Sequence, residues 1–95
     1  MKSIDELLAQ AVAVRASDLH LKSGSPPVLR VDGELAFVDD EVCTPEHTKD
    51  FAASLMSDKQ IRRFSETNEI DFAYSAPALG RFRVNIYRQR GSISI

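Results

Sequence analysis

One cysteine, two histidines, four glycines, four prolines and no tryptophan stand in these 95 residues. A lone thiol, Cys43, cannot close an internal disulfide, so a disulfide-stapled module is excluded and a reducing, cytoplasmic setting fits best. The longest apolar runs are far too short for a membrane-spanning helix. The opening Met-Lys-Ser-Ile-Asp-Glu puts acids where an export signal needs positive charge followed by apolar residues, so no export signal is expected. Cys43, His20 and His47 lack any paired spacing such as Cys-x-x-Cys or His-x-x-x-His, and Asp39-Asp40-Glu41 lacks the alternate ligands and central glycine of a calcium loop. No metal site is therefore expected. Neither Gly-x-x-x-x-Gly-Lys-Ser/Thr nor Gly-x-Gly-x-x-Gly occurs, so the chain has no phosphate cradle of its own. Internal repeats, low-complexity tracts and linkers are absent too. What remains is an ordinary globular composition, 43% hydrophobic and 27% charged, over residues 1–95 as a single domain.

The charge that is present is unevenly placed. Residues 1–80 hold 8 basic against 14 acidic side chains, a net of −6, while residues 81–95 hold four arginines and no acid. Those arginines lie in Gly80-Arg81-Phe82-Arg83-Val84-Asn85-Ile86-Tyr87-Arg88-Gln89-Arg90-Gly91. The segment alternates as a strand does, with Phe82, Val84 and Ile86 on one face and Arg81, Arg83 and Asn85 on the other. A guanidinium offers two parallel donors and a permanent charge, which suits phosphate or carboxylate.

Local signals place the other elements. Ser3 and Glu6 spell a capping box for a helix from Ile4 to about Val14, with Ile4, Leu7, Leu8 and Ala11 as its apolar face. Leu19 and Leu21 alternate with Asp18, His20 and Lys22 as a short strand. Val28–Val31 and Glu34–Val38 are strands joined by Asp32-Gly33, the dipeptide suited to a type I′ turn. Asp39-Asp40-Glu41 reads as a solvated loop. Thr44 caps a second helix with Pro45 at its first position, and Thr48, Phe51, Ala52, Leu55 and Met56 form its buried stripe. Ser57 and Gln60 open a third helix, which ends at a left-handed Asn68. Ile70, Phe72 and Tyr74 then alternate as a strand ahead of the arginine segment. Short connections require antiparallel pairing, so the expectation is an α+β domain: one antiparallel sheet of five to six strands with three helices packed on it. Ser92-Ile93-Ser94-Ile95 ends the chain on an alternating run, a pattern that favours a piece of something longer over a natural edge strand.

Two readings of the arginines stand side by side. Glu69 and Asp71 share face parity with Arg81 and Arg83, so cross-strand ion pairs would occupy two of the four. Arg88 and Arg90 fall on the parity of Phe82, and either emerge past the core edge or follow a bulge. The other reading is an external anion. Nucleic acid is a poor choice for it, since the other eighty residues repel phosphate.

Several motifs now coincide: Ala16-Ser17-Asp18-Leu19-His20-Leu21, Gly24-Ser25-Pro26-Pro27, Arg30-Val31-Asp32-Gly33-Glu34-Leu35, Glu69-Ile70-Asp71-Phe72-Ala73-Tyr74, Gly80-Arg81-Phe82-Arg83-Val84-Asn85 and Arg88-Gln89-Arg90-Gly91. In this order and spacing the chain resembles the N-terminal domain of the type IV pilus retraction ATPases, the PilT-type twitching-motility motors of the secretion ATPase superfamily. Lys22-Ser23-Gly24 after Leu21 is more similar to the retraction branch than to the pilus-assembly and type II secretion ATPases, which typically carry Ser-Asp-Ile-His-Ile-Glu-Pro there. The resemblance implies a PAS-like domain and a hexameric cytoplasmic parent, peripheral to the inner membrane through the pilus machinery. It implies that the C-terminal RecA-like ATPase domain lies beyond this chain, with ATP and Mg2+ as the parent's cofactors and none for this chain alone. Its partners would be its own C-terminal ATPase domain and that of a neighbouring subunit. Arg81 and Arg83 are the implied phosphate contacts, with Arg88 and Arg90 as secondary candidates. Catalysis by this chain alone is not implied. The alternatives are a free-standing PAS-like ligand sensor, which needs an enclosed apolar pocket, and the N-terminal domain of a pilus-assembly or secretion ATPase.

Overall fold

Each helix begins at a reciprocal cap. Ser3 Oγ accepts the Glu6 N–H at 3.2 Å while the Ser3 N–H donates to Glu6 at 3.0 Å, opening α1 (Ile4–Ala13). Ser57 and Gln60 repeat the device at the start of α3 (Asp58–Thr67). At α2 (Pro45–Leu55) the partner is His47: its N–H donates to Thr44 Oγ1 at 3.1 Å, and its Nδ1 accepts the Thr44 N–H at 3.0 Å. His47 is thus a capping residue, a role that the usual pattern of acids and amides at this position does not include. Asn68 ends α3 at φ 61°, in the left-handed conformation that asparagine tolerates.

A computed structural model describes residues 1–38 and 40–95; the loop expectation at Asp39 lies outside the described residues. Among these residues the strands are β1 (Asp18–His20), β2 (Val28–Val31), β3 (Glu34–Phe37), β4 (Glu69–Ala76), β5 (Gly80–Gln89) and β6 (Ser92–Ser94). They form two three-stranded antiparallel sheets, β1-β2-β3 and β4-β5-β6, in place of the expected single sheet of five to six strands. The join is too brief to merge them. Leu21 and Ile95 exchange both backbone hydrogen bonds, at 3.0 and 2.9 Å, and Lys22 bridges Ser94, but β1 ends at His20 before a turn through Gly24. Both two-residue hairpin turns place their central residues at positive φ: Asp32 (51°) with Gly33 (81°), and Arg90 (54°) with Gly91 (81°).

The helices cover both sheets. α1 packs on β1 and α2, α2 on β6, and α3 on β4. The core runs through Leu7, Leu8, Leu21, Phe51, Leu55, Phe64, Ile70, Val84, Ile86 and Ile93. Of the second helix's expected stripe, Thr48, Phe51, Ala52 and Leu55 are buried, and Met56 is half-buried at the C-cap. No helix among the described residues is long and apolar enough to cross a membrane.

Candidate functional site

β5 presents its faces as the alternation requires. Val84 and Ile86 are buried and Phe82 is half-buried, whereas Arg81, Arg83 and Asn85 are exposed. The hairpin register decides which acids they meet. Asp71 lies opposite Asn85, Ala73 opposite Arg83, Ser75 opposite Arg81 and Glu69 opposite Tyr87. Asp71 is therefore diagonal to Arg83, and the two form a forked pair: Nη2 to Oδ2 at 2.7 Å and Nε to Oδ1 at 3.3 Å. The matching expectation for Glu69 and Arg81 fails, because the register sets them six positions apart along the strand. Among the described residues Arg81 makes no ion pair.

Arg83 and Arg81 line an open cleft of about 690 Å³. Its other wall is formed by Ser17 and by Asp18 and His20 of β1, and its floor includes Ile4, Leu8, Leu21, Leu55 and Val84. Asp18 is already engaged. It accepts the Ser17 hydroxyl at 3.0 Å and pairs with Arg30 at 3.4 Å. Of the cleft's guanidiniums, then, Arg83 carries its own counter-ion and Arg81 does not. The fold brings together two of the sequence's motif segments, about sixty residues apart, on one cleft.

Arg88 and Arg90 are not part of it. Arg88 emerges past the core edge, with its guanidinium 4.9 Å from the centroid of the Phe64 ring, and its backbone N–H donates to the Asn68 carbonyl. Arg90 occupies the β5–β6 turn at positive φ. A smaller cleft near the start of α1 gathers Asp5, His47, Asp50 and Tyr74; there Tyr74 Oη donates to Asp5 at 2.8 Å, which raises the tyrosine's pKa.

The Asp71–Arg83 pair carries a pH signature. Hydrogen bonding from Arg83 lowers the Asp71 pKa below the ordinary carboxylate value. A depressed folded-state pKa adds stability above the unfolded value of about 4, and that contribution is lost as pH falls through the folded value. Asp71→Asn should therefore melt slightly below wild type at neutral pH, and the gap should close in acid. Melting temperatures of both chains between roughly pH 2 and 7 test this; a gap independent of pH would show that ionisation of Asp71 contributes nothing to stability.

No family model matches the chain. Curated relatives and solved structures do. The chain is 40% identical over 86 residues to the type IV pilus retraction ATPase PilT of Pseudomonas aeruginosa, covering 90% of this chain and 25% of that protein. It is 35% identical over 91 residues to the type IV pilus ATPase PilU of the same organism, covering 96% of this chain and 24% of that protein. The crystal structure of the pilus retraction motor PilT with bound ADP superposes at a TM-score of 0.90 and 39% identity, over 99% of this chain and 28% of that one. The chain is an N-terminal domain of the PilT type. Its relatives are type IV pilus and twitching-motility ATPases of the secretion ATPase family. This PilT-type domain spans about a quarter of the length of the curated relatives it matches.

Proposed function

We propose that this PilT-type domain serves a hexameric motor ATPase that retracts type IV pili, closing over ATP held by the motor's C-terminal ATPase domain and relaying that motion to its neighbours in the ring. The observation that carries this is the cleft: Arg81 and Arg83 of β5 face it together with Ser17 and with Asp18 and His20 of β1, in a domain whose structural relative binds ADP. Arg81, without an acidic partner among the described residues, suits a phosphate oxygen. Arg83 holds Asp71 in the same forked geometry with which a guanidinium grips phosphate. When ATP is bound, these two arginines would stabilise charge developing on the transferred phosphoryl group.

The chain has no phosphate loop, and among its described residues no group of three His, Cys, Asp or Glu side chains is placed to hold a metal. On this reading the magnesium and the attacking water are supplied by the remainder of the motor. Closure on ATP and opening after hydrolysis would turn ligand binding into rigid-body motion. The setting is the cytoplasmic side of the inner membrane, against the pilus machinery. A free-standing ligand sensor is less well supported, because the larger cleft is open and rimmed by charge.

Two measurements test the reading. The isolated chain should hydrolyse no ATP. In the full-length motor, saturating ATP should slow hydrogen exchange of the β5 amides relative to the nucleotide-free motor. Turnover by the isolated chain, or β5 exchange indifferent to ATP, would overturn it.

A further inference from the structure

Asp71 is an acid in a cleft that suits anions. Of the two aspartates lining that cleft, Asp18 pairs with Arg30, which does not line it, whereas Asp71 holds Arg83, which does. A carboxylate beside a phosphate-binding arginine repels the phosphate, so its presence there calls for a second role. The register shows how it reaches. Ala73 stands directly opposite Arg83, and its short side chain leaves the guanidinium open to the diagonal residue, Asp71. Around Arg81 the register sets Ser75 opposite and Ala73 diagonally, and neither is an acid.

The contact uses only one edge of the guanidinium. Asp71 accepts the Nε–H at 3.3 Å and one Nη2–H at 2.7 Å. Three of the group's five N–H bonds remain, two on Nη1 and one on Nη2. Together these make the end-on fork, which grips a phosphate by the same two parallel hydrogen bonds. Among the described residues nothing else pairs with it. The Arg83 side chain is 86% exposed, so this pair is the main restraint on a long and flexible arm.

We infer that Asp71 is a positioning residue, holding Arg83 by its side edge so that the end-on fork stands ready for the phosphate oxygens of a nucleotide. The inference rests on the reading of the cleft as the nucleotide-facing surface of the motor. It adds a division of labour: Arg83 is oriented in advance by an acid of its own sheet, and Arg81 is not.

The test is a mutant cycle of Asp71→Asn and Arg83→Ala in the full-length motor, read by steady-state ATP turnover. Asp71→Asn leaves the fold in place, because the pair it breaks is exposed. It should lower kcat about tenfold, since the arm's rotamer freedom must then be lost on reaching the transition state. The KM for ATP should fall, because the amide no longer repels phosphate; partial unfolding would leave KM where it was. In the Arg83→Ala background the same substitution should leave kcat unchanged. Wild-type kcat in Asp71→Asn overturns the inference. So does a tenfold loss that persists without Arg83, which would mean that Asp71 acts on something else. Arg83→Ala alone separates this inference from the reading beneath it. Should that variant lose turnover while Asp71→Asn keeps it, the cleft reading stands and the positioning role falls; should it turn over like wild type, both fall.

Discussion

In the full-length motor that we propose for this domain, Arg83→Ala should lower ATP turnover by on the order of a thousandfold and leave this domain folded, and Arg81→Ala should do the same. The size follows from chemistry. A phosphoryl-transfer transition state spreads negative charge over its equatorial oxygens, and an arginine brought to those oxygens is worth about a thousandfold or more in related enzymes. Preservation of the fold follows from the structure. Both side chains are exposed, and the Asp71 pair that Arg83 would forfeit is a surface pair. Arg83→Lys should rescue poorly, because an ammonium cannot make the forked contact. Steady-state turnover, measured beside the melting temperature of each variant, decides the matter. Wild-type turnover in both alanine variants would return the arginines to a structural role, Arg83 as the partner of Asp71 and Arg81 as a solvated cation.

The structure also changes how those two residues differ. Parity along a strand is legible in sequence, and β5 obeys it residue by residue, from Phe82 to Ile86 inward and from Arg81 to Asn85 outward. Register is not legible, because a period of two leaves every even offset between strands equivalent. That is why the pairing of Asp71 with Arg83 holds while that of Glu69 with Arg81 does not. Burial is not legible from alternation alone either: Leu35 and Phe37 alternate with Glu34 and Ala36 as in a half-buried strand, yet all four residues of β3 are exposed. Signals carried within four residues are the dependable ones: two of the capping boxes, the Thr44-Pro45 start, the Asp32-Gly33 turn and the left-handed Asn68 all stand where the sequence puts them. His47 closes the third box because its ring nitrogen can accept a hydrogen bond as a glutamine oxygen does, a substitution the usual motif omits. Arg90-Gly91 is a weaker turn signal than Asp32-Gly33, because arginine seldom takes the positive φ that aspartate tolerates.

Leu21→Ala should be the most damaging single truncation at the joint between the sheets. Leu21 is fully buried, and its backbone is the one place where both hydrogen bonds of an antiparallel pair pass from the β1 segment to the β6 segment among the described residues. Its side chain also floors the arginine cleft beside Ile4, Leu8 and Leu55. Truncating a buried leucine to alanine costs about 2–5 kcal/mol, the lost transfer free energy plus the cavity left behind. In a domain of this size that lowers the melting temperature by roughly 10–30 °C. Leu35→Ala removes the same atoms from an exposed site and should stay within about 0.5 kcal/mol of wild type. The shape of the melt carries a second result. If the shared core couples the sheets, wild type unfolds in a single transition and Leu21→Ala moves that transition as a whole. A variant that splits the melt in two would show that each sheet folds with its own helices, leaving the Leu21–Ile95 contact a docking joint between two units. A variant melting within a few degrees of wild type would show that the joint closes over the vacated space. In the first case the cleft wall formed by β1 would be free to shift against β5; in the second the repacked joint would still hold the two walls together.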